Sequence, residues 1–270
     1  MGSGGAHFVK MLQGEGQVTI LSGSLALTGG EPSNIGTLQL PGGALRGSAQ
    51  LFVTSSLVAS GGSMEAAGET VVGTEALARV EPAGEPEVPG LRVTQKRDVT
   101  VNGELVVAGA AGRLNLLEGG SVDVAAGGAL KVGGPDGRIT AKESSSLTNS
   151  GAMTTNGPGG QTNLLDQADL LNAGSFALKA PEGGLVVLDN SSVENTGSFR
   201  MEGSAGEIRL EETTLTNKSG LRIEAPEGRL RGSKEARVEN FGTLAINGEG
   251  EGNGLVDGSG AIPMRIRATM

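Results

Sequence analysis

The sequence contains no cysteine, tryptophan or tyrosine, and a single histidine. Without cysteine it can form neither a disulfide framework nor a thiolate metal site. The one histidine, His7, lacks the partners that a zinc site or a catalytic triad needs. Five phenylalanines are the only aromatic residues in 270 positions, fewer than a compact globular core of this size normally uses. No apolar run approaches the roughly 20 residues of a membrane helix, so no membrane insertion is expected. The opening Met1-Gly2-Ser3-Gly4-Gly5-Ala6-His7 has neither the basic nor the apolar stretch of a signal peptide. Basic charge is also short: the net charge is −9 and the isoelectric point about 4.8. That balance argues against nonspecific nucleic-acid binding.

Glycine and small aliphatic residues are what remain. There are 48 glycines, and 37% of the chain is hydrophobic, mostly Leu, Val, Ala and Ile. No strict triplet repeat accompanies the glycine, which excludes collagen. A core of small aliphatic side chains suits many narrow, similar layers.

The layers are visible as a repeat from Leu114 onward. Leu114, Ile139, Thr162, Leu185, Ile208 and Leu230 follow one another at steps of 25, 23, 23, 23 and 22. Leu116, Ala141, Leu164, Val187, Leu210 and Gly232 repeat the same steps two residues later. Leu147, Leu170, Val193, Leu215 and Val238 form another column, and Met153, Phe176, Phe199, Leu221 and Leu244 a third. Apolar pairs at i and i+2 are strand periodicity, not helical. Each coil therefore holds three short strands. The predicted fold is all-β: a right-handed parallel β-helix with coils of about 23 residues. Right-handedness follows from the general preference for right-handed crossovers between parallel strands. Phe176 and Phe199 fall one coil apart, and their rings are expected to stack inside.

The corners repeat too. Pro135-Asp136-Gly137, Pro158-Gly159-Gly160, Pro181-Glu182-Gly183, Ser204-Ala205-Gly206 and Pro226-Glu227-Gly228 carry turn chemistry. Asn149, Asn172, Asn195, Asn217 and Asn240 recur at steps of 23, 23, 22 and 23, each followed by glycine within three residues. Coils stacked about 4.8 Å apart let such amides hydrogen-bond to their copies above and below. An asparagine ladder is expected at this corner, with a structural role.

Upstream of residue 91 the period blurs. Four units follow: a flexible segment at 1–16, irregular coils over 17–90, a regular β-helix over 91–260 and a cap or tail at 261–270. The irregular coils end in the acidic, proline-rich stretch Glu81 to Gly90, read as a loop or linker.

The units Leu147-Thr148-Asn149-Ser150-Gly151, Val193-Glu194-Asn195-Thr196-Gly197-Ser198-Phe199 and Val238-Glu239-Asn240-Phe241-Gly242-Thr243-Leu244 resemble the repeats of filamentous-haemagglutinin-type adhesins and autotransporter passengers. The resemblance covers roughly residues 91–250. It implies a secreted or cell-surface β-helix whose partners are a glycan or a host or neighbouring-cell protein.

The remaining question is chemistry. Glu118, Glu143, Asp166, Asp189 and Glu212 form a charged column, with Lys234 next in line. Carboxylates about 5 Å apart repel by about 0.8 kcal/mol in water, so the column must be solvated and splayed, or hold cations weakly. A solvated corner is the expected state. The enzymatic alternative is a polysaccharide lyase or hydrolase using Asp166, Asp189 and Glu212 with Lys142 and Lys234. A repeating column is a poor match for the single constellation an active site needs, and the chain has no Trp or Tyr on which a sugar could stack. Arg200 with Arg222, and Arg209 with Arg231, are outward pairs one coil apart, read as solvated face residues. The sequence thus points to a non-catalytic structural or adhesive solenoid without cofactor, part of a larger extracellular protein. A filament subunit that stacks end to end is the third reading.

Overall fold

The computed structural model describes residues 5–82 and 90–246, together with the backbone strands Leu255–Ser259 and Arg265–Ala268. Residues 83–89 of the acidic proline-rich stretch, the glycine-rich 248–254 and the tail outside Arg265–Ala268 lie outside the described residues. The described chain contains no helix. It is a β-solenoid: every strand pairs in parallel with its counterpart one coil away.

Three faces run along the solenoid. Face one is a 12-stranded sheet from Ala6–Val9 through Arg113–Leu116 and Arg229–Ser233 to Leu255–Ser259. In the regular coils, face two consists of four-residue strands such as Ser146–Asn149 and Ser192–Asn195. Face three consists of strands such as Ala152–Thr155 and Ser198–Met201. Twelve strands at about 4.8 Å give face one a length of roughly 50 Å.

The predicted columns are the observed register. Leu114 pairs with Ile139, Ile139 with Thr162, and Thr162 with Leu185. Within these strands the second and fourth residues are buried, and the first and third face outward except at Asn163 and Gly184, which are buried too. The inward residues of all three faces merge into one continuous apolar core. Phe176 and Phe199 stack within it, with centroids 4.7 Å apart and rings inclined by 16°.

The coils at the N-terminal side turn differently. Ala6 pairs with Ser24, Ser24 with Ala44, and Leu45 with Met64, so these coils take 18, 20 and 19 residues. Val93 pairs with Leu116 and Leu116 with Ala141, giving 23 and 25. The short coils lack a separate corner between faces two and three. Single strands, Gln13–Thr19, Ser33–Leu40 and Leu51–Ala59, cover both faces. Their register shifts mid-strand, between Gly14 and Gln17 and between Ile35 and Thr37. A bulge bends a strand without breaking its ladder. Leu51–Ala59 marks the change, because it pairs with Glu69–Val72 along one half and with Leu77–Val80 along the other. Strand pairing extends upstream of residue 17, into Ala6–Val9.

Candidate functional site

The asparagine ladder is present. Asn149 Nδ2 donates to Asn172 Oδ1 at 2.7 Å, Asn172 to Asn195 at 2.7 Å, Asn195 to Asn217 at 2.7 Å and Asn217 to Asn240 at 2.6 Å. Each of the four donors also reaches a carbonyl of the next coil: Ser175, Ser198, Gly220 and Thr243 at 2.9 to 3.0 Å. All five amides are buried. A buried amide is costly unless bonded, so each asparagine requires its neighbour. The ladder starts abruptly. In the preceding coil Val124 occupies the equivalent register, and Asn149 Oδ1 is buried without a partner.

Glycine completes this corner for a steric reason. A Cβ on Gly174 would lie 2.1 Å from the Gly151 carbonyl oxygen, and one on Gly197 equally close to that of Gly174. Both amides after Asn149, Asn172 and Asn195 bond to the carbonyl below, as Ala173 and Gly174 do to Asn149. At these two glycines the backbone is drawn in so closely that no side chain fits, whereas the corner after Asn217 carries Ser219 in that register.

The carboxylate column occupies the corner between faces one and two. Glu118, Glu143, Asp166, Asp189, Glu212 and Lys234 all have positive φ, between 51° and 58°. The next residue is often left-handed too, as at Ser144, Gln167 and Asn190. The amide of that next residue donates to the carbonyl of the following carboxylate residue: Gly119 to Glu143, Ser144 to Asp166, Gln167 to Asp189 and Asn190 to Glu212. The main chain thus has a ladder of its own here, and the side chains turn to solvent. Glu118, Asp166 and Asp189 are exposed, and the Glu143 and Glu212 side chains are 39% and 42% accessible. Lys142 lies 3.1 Å from Glu143, and Lys234 lies 3.2 Å from Glu212 and 2.6 Å from Glu211. Lys234 and then Arg209 hydrogen-bond Glu211 and hold its carboxyl below the usual range. Among the described residues, no group of three or more acidic or imidazole side chains is arranged to hold a metal ion. An open groove of about 200 Å³ lies elsewhere, between Glu207, Arg209, Arg231 and Ser233, where Gly232 replaces the larger inward residues of its column. It includes none of the column carboxylates.

Sequence reasoning missed Arg97. The buried position just before face two holds small residues in successive coils: Gly120, Ser145, Ala168, Ser191, Thr213 and Ala236. Arg97 stands there alone as a large cation, fully buried. Its Nη1 donates to the Gly47 carbonyl at 2.8 Å, and Nη2 to the Glu69 carbonyl at 3.0 Å and Thr70 Oγ1 at 2.9 Å. Gly68 makes room, since a Cβ there would lie 2.3 Å from Nη1. Burial pushes the guanidinium down to about 10, against the fields of Asp98 and Glu69, so it stays charged at neutral pH. Extending the small-residue column upstream would have flagged it.

No family model matches this chain, and neither a curated protein nor a solved structure is significantly similar to it.

Proposed function

We propose that the chain is a non-catalytic structural or adhesive solenoid of the cell exterior, which displays its outer faces to a glycan or a protein of a host or neighbouring cell. The observation that carries this reading is the use made of the repeated polar residues. The asparagines are consumed in joining coil to coil, and the corner carboxylates extend outward from a bonded main chain. Neither column converges on a point where a substrate could be held, as acid–base work on a glycosidic bond requires. The resemblance of the Asn-X-Gly units to adhesin repeats agrees with an exterior location.

Two assays test the reading together. Incubated with neutral and acidic polysaccharides, the full chain should release no new reducing ends and no unsaturated products. Cleavage that disappears in the double substitution Asp166→Asn with Asp189→Asn would overturn it. Immobilised on a surface, the chain should retain glycans or cells, and failure across a broad glycan panel would remove the adhesive half. End-to-end stacking is a second reading, favoured by the first described coil, which exposes Phe8, Met11 and Leu21. Its test is electron microscopy at rising concentration, where filaments should lengthen in the wild type and not in Leu21→Glu.

A further inference from the structure

Charge is sorted between two adjacent faces. Outward positions of face one carry arginines on three consecutive coils: Arg92 on Leu91–Val93, Arg113 on Arg113–Leu116 and Arg138 on Arg138–Ala141. Arg113 and Arg138 are direct register partners. Outward positions of face two carry carboxylates on three consecutive coils: Glu69 on Glu69–Val72, Asp98 on Asp98–Val101 and Asp123 on Ser121–Val124. Several other outward charges pair across or within coils, as Arg46 does with Glu65, Lys131 with Glu104 and Lys218 with Glu194. These six make no ion pair among the described residues. The buried Arg97 lends its field to Glu69 and Asp98, but its Nη1 and Nη2 donate to the Gly47 and Glu69 carbonyls and Thr70 and to neither carboxylate. Burial and then the charge of Glu69 push the Asp123 carboxyl up.

Stacked arginines and stacked carboxylates both repel along their own face. Each set spans three coils at about 4.8 Å: Arg113 and Arg138 are in register, with Arg92 two residues further along its strand, and Glu69 and Asp98 are in register, with Asp123 two residues further along. We propose that face one of one chain docks against face two of a second copy, with Arg92, Arg113 and Arg138 set against Glu69, Asp98 and Asp123. Arginine suits the role, because its planar fork can take a carboxylate in two parallel hydrogen bonds. Because the two patches differ, the contact is heterologous: each copy keeps a free basic face and a free acidic face, and solenoids add side by side. This goes beyond the adhesive reading and does not depend on it.

Sedimentation velocity of the full chain is the test. At low salt the wild type should sediment faster as concentration rises. In about 1 M salt, where the screening length falls to about 3 Å, that increase should vanish. The double variants Arg113→Glu with Arg138→Glu, and Asp98→Arg with Asp123→Arg, should each remain monomeric alone. Mixed in equal amounts they should associate again, because each now offers what the other lacks. Far-UV circular dichroism and melting of each variant check folding, and Arg113→Gln with Arg138→Gln serves as the milder form. A wild type that stays monomeric at low salt overturns the proposal, even if the arginine face retains a soluble polyanion. Association that survives in both charge-reversed variants also overturns it and points to the coil ends.

Discussion

The short coils between Ala6 and Met64 and the regular coils from Leu91 onward solve the same problem by different means. The short coils turn from face two to face three by a bulge within one strand. The regular coils break the strand, and from Asn149 onward they turn through an asparagine corner, as at Asn172-Ala173-Gly174. A bulge uses backbone bonds alone and demands little of its side chains. A sharp corner leaves backbone groups to satisfy, and a buried amide supplies them with donors and acceptors. The coils from Asn149 to Asn240 therefore gain a side-chain ladder, and with it a dependence of each coil on the next. Solenoid stability is a sum of coil and neighbour terms, so the two regions should differ most in the neighbour term.

Arg97 stands at the seam between these regions, and its loss should produce the largest effect. Arg97→Ala removes the donors to Gly47, Glu69 and Thr70 and leaves a cavity in the core. The expected cost is about 4 kcal/mol, read by urea unfolding. Hydrogen exchange should show protection lost first over residues 24–72. A cost under about 1 kcal/mol would mean that the seam does not need the cation.

Asn195→Ala attacks the ladder at its centre. Asn195 accepts from Asn172 and donates to Asn217 and the Gly220 carbonyl. Losing these buried bonds should cost about 3 kcal/mol, with exchange quickened at the Asn172 and Asn217 corners and not in the short coils. Equal quickening in both regions would contradict the contrast drawn between them.

These expectations rest on residues whose meaning was unevenly legible in the sequence. The asparagine ladder and the stacked phenylalanines were readable because a column constrains residue type. Asn172 has to be asparagine if its neighbours are, and Phe176 matches Phe199 in size. The bulged coils were blurred for the opposite reason. Ile35 and Thr37 satisfy a backbone register that many residues would serve, and coils of 18 to 20 residues fall out of phase with a 23-residue repeat. Parity alone would have sent Glu118 and Asp166 inward. Their positive φ values, which no strand pattern encodes, turn them out. Arg97 was hidden because a single arginine near the surface residues Lys96 and Asp98 reads as one more solvated charge. Only its place in a column of small residues sets it apart.

Val124→Asn would carry the ladder one coil toward the short coils. Asn149 Oδ1 waits there as a buried acceptor without a donor. The added amide should raise stability by about 1 kcal/mol in urea unfolding, and a loss would mean that the Ala125–Gly128 corner cannot admit it.

The smallest effect concerns Asp123. Its folded carboxyl titrates above the ordinary value of 3.8, chiefly through burial and then through Glu69. The folded chain therefore holds the proton more tightly than the unfolded one. Stability falls as pH rises through the window between 3.8 and the raised value, and the handicap is complete above it. Asp123→Asn should be slightly more stable than wild type at pH 7, with the difference shrinking as pH falls through that window. A variant less stable at pH 7 would give the carboxylate a favourable contact instead.

The closely spaced asparagine corners have one further consequence. From Asn149 to Asn217 each corner hands the same donor to the same kind of acceptor, at nearly the same distance. Excising one complete turn, or duplicating one, would rejoin ends that already fit. Removing a few residues would break the row. Such a molecule measures its length in discrete increments, and a lineage that needs a longer or shorter reach can obtain it by unequal recombination between turns without redesigning any junction.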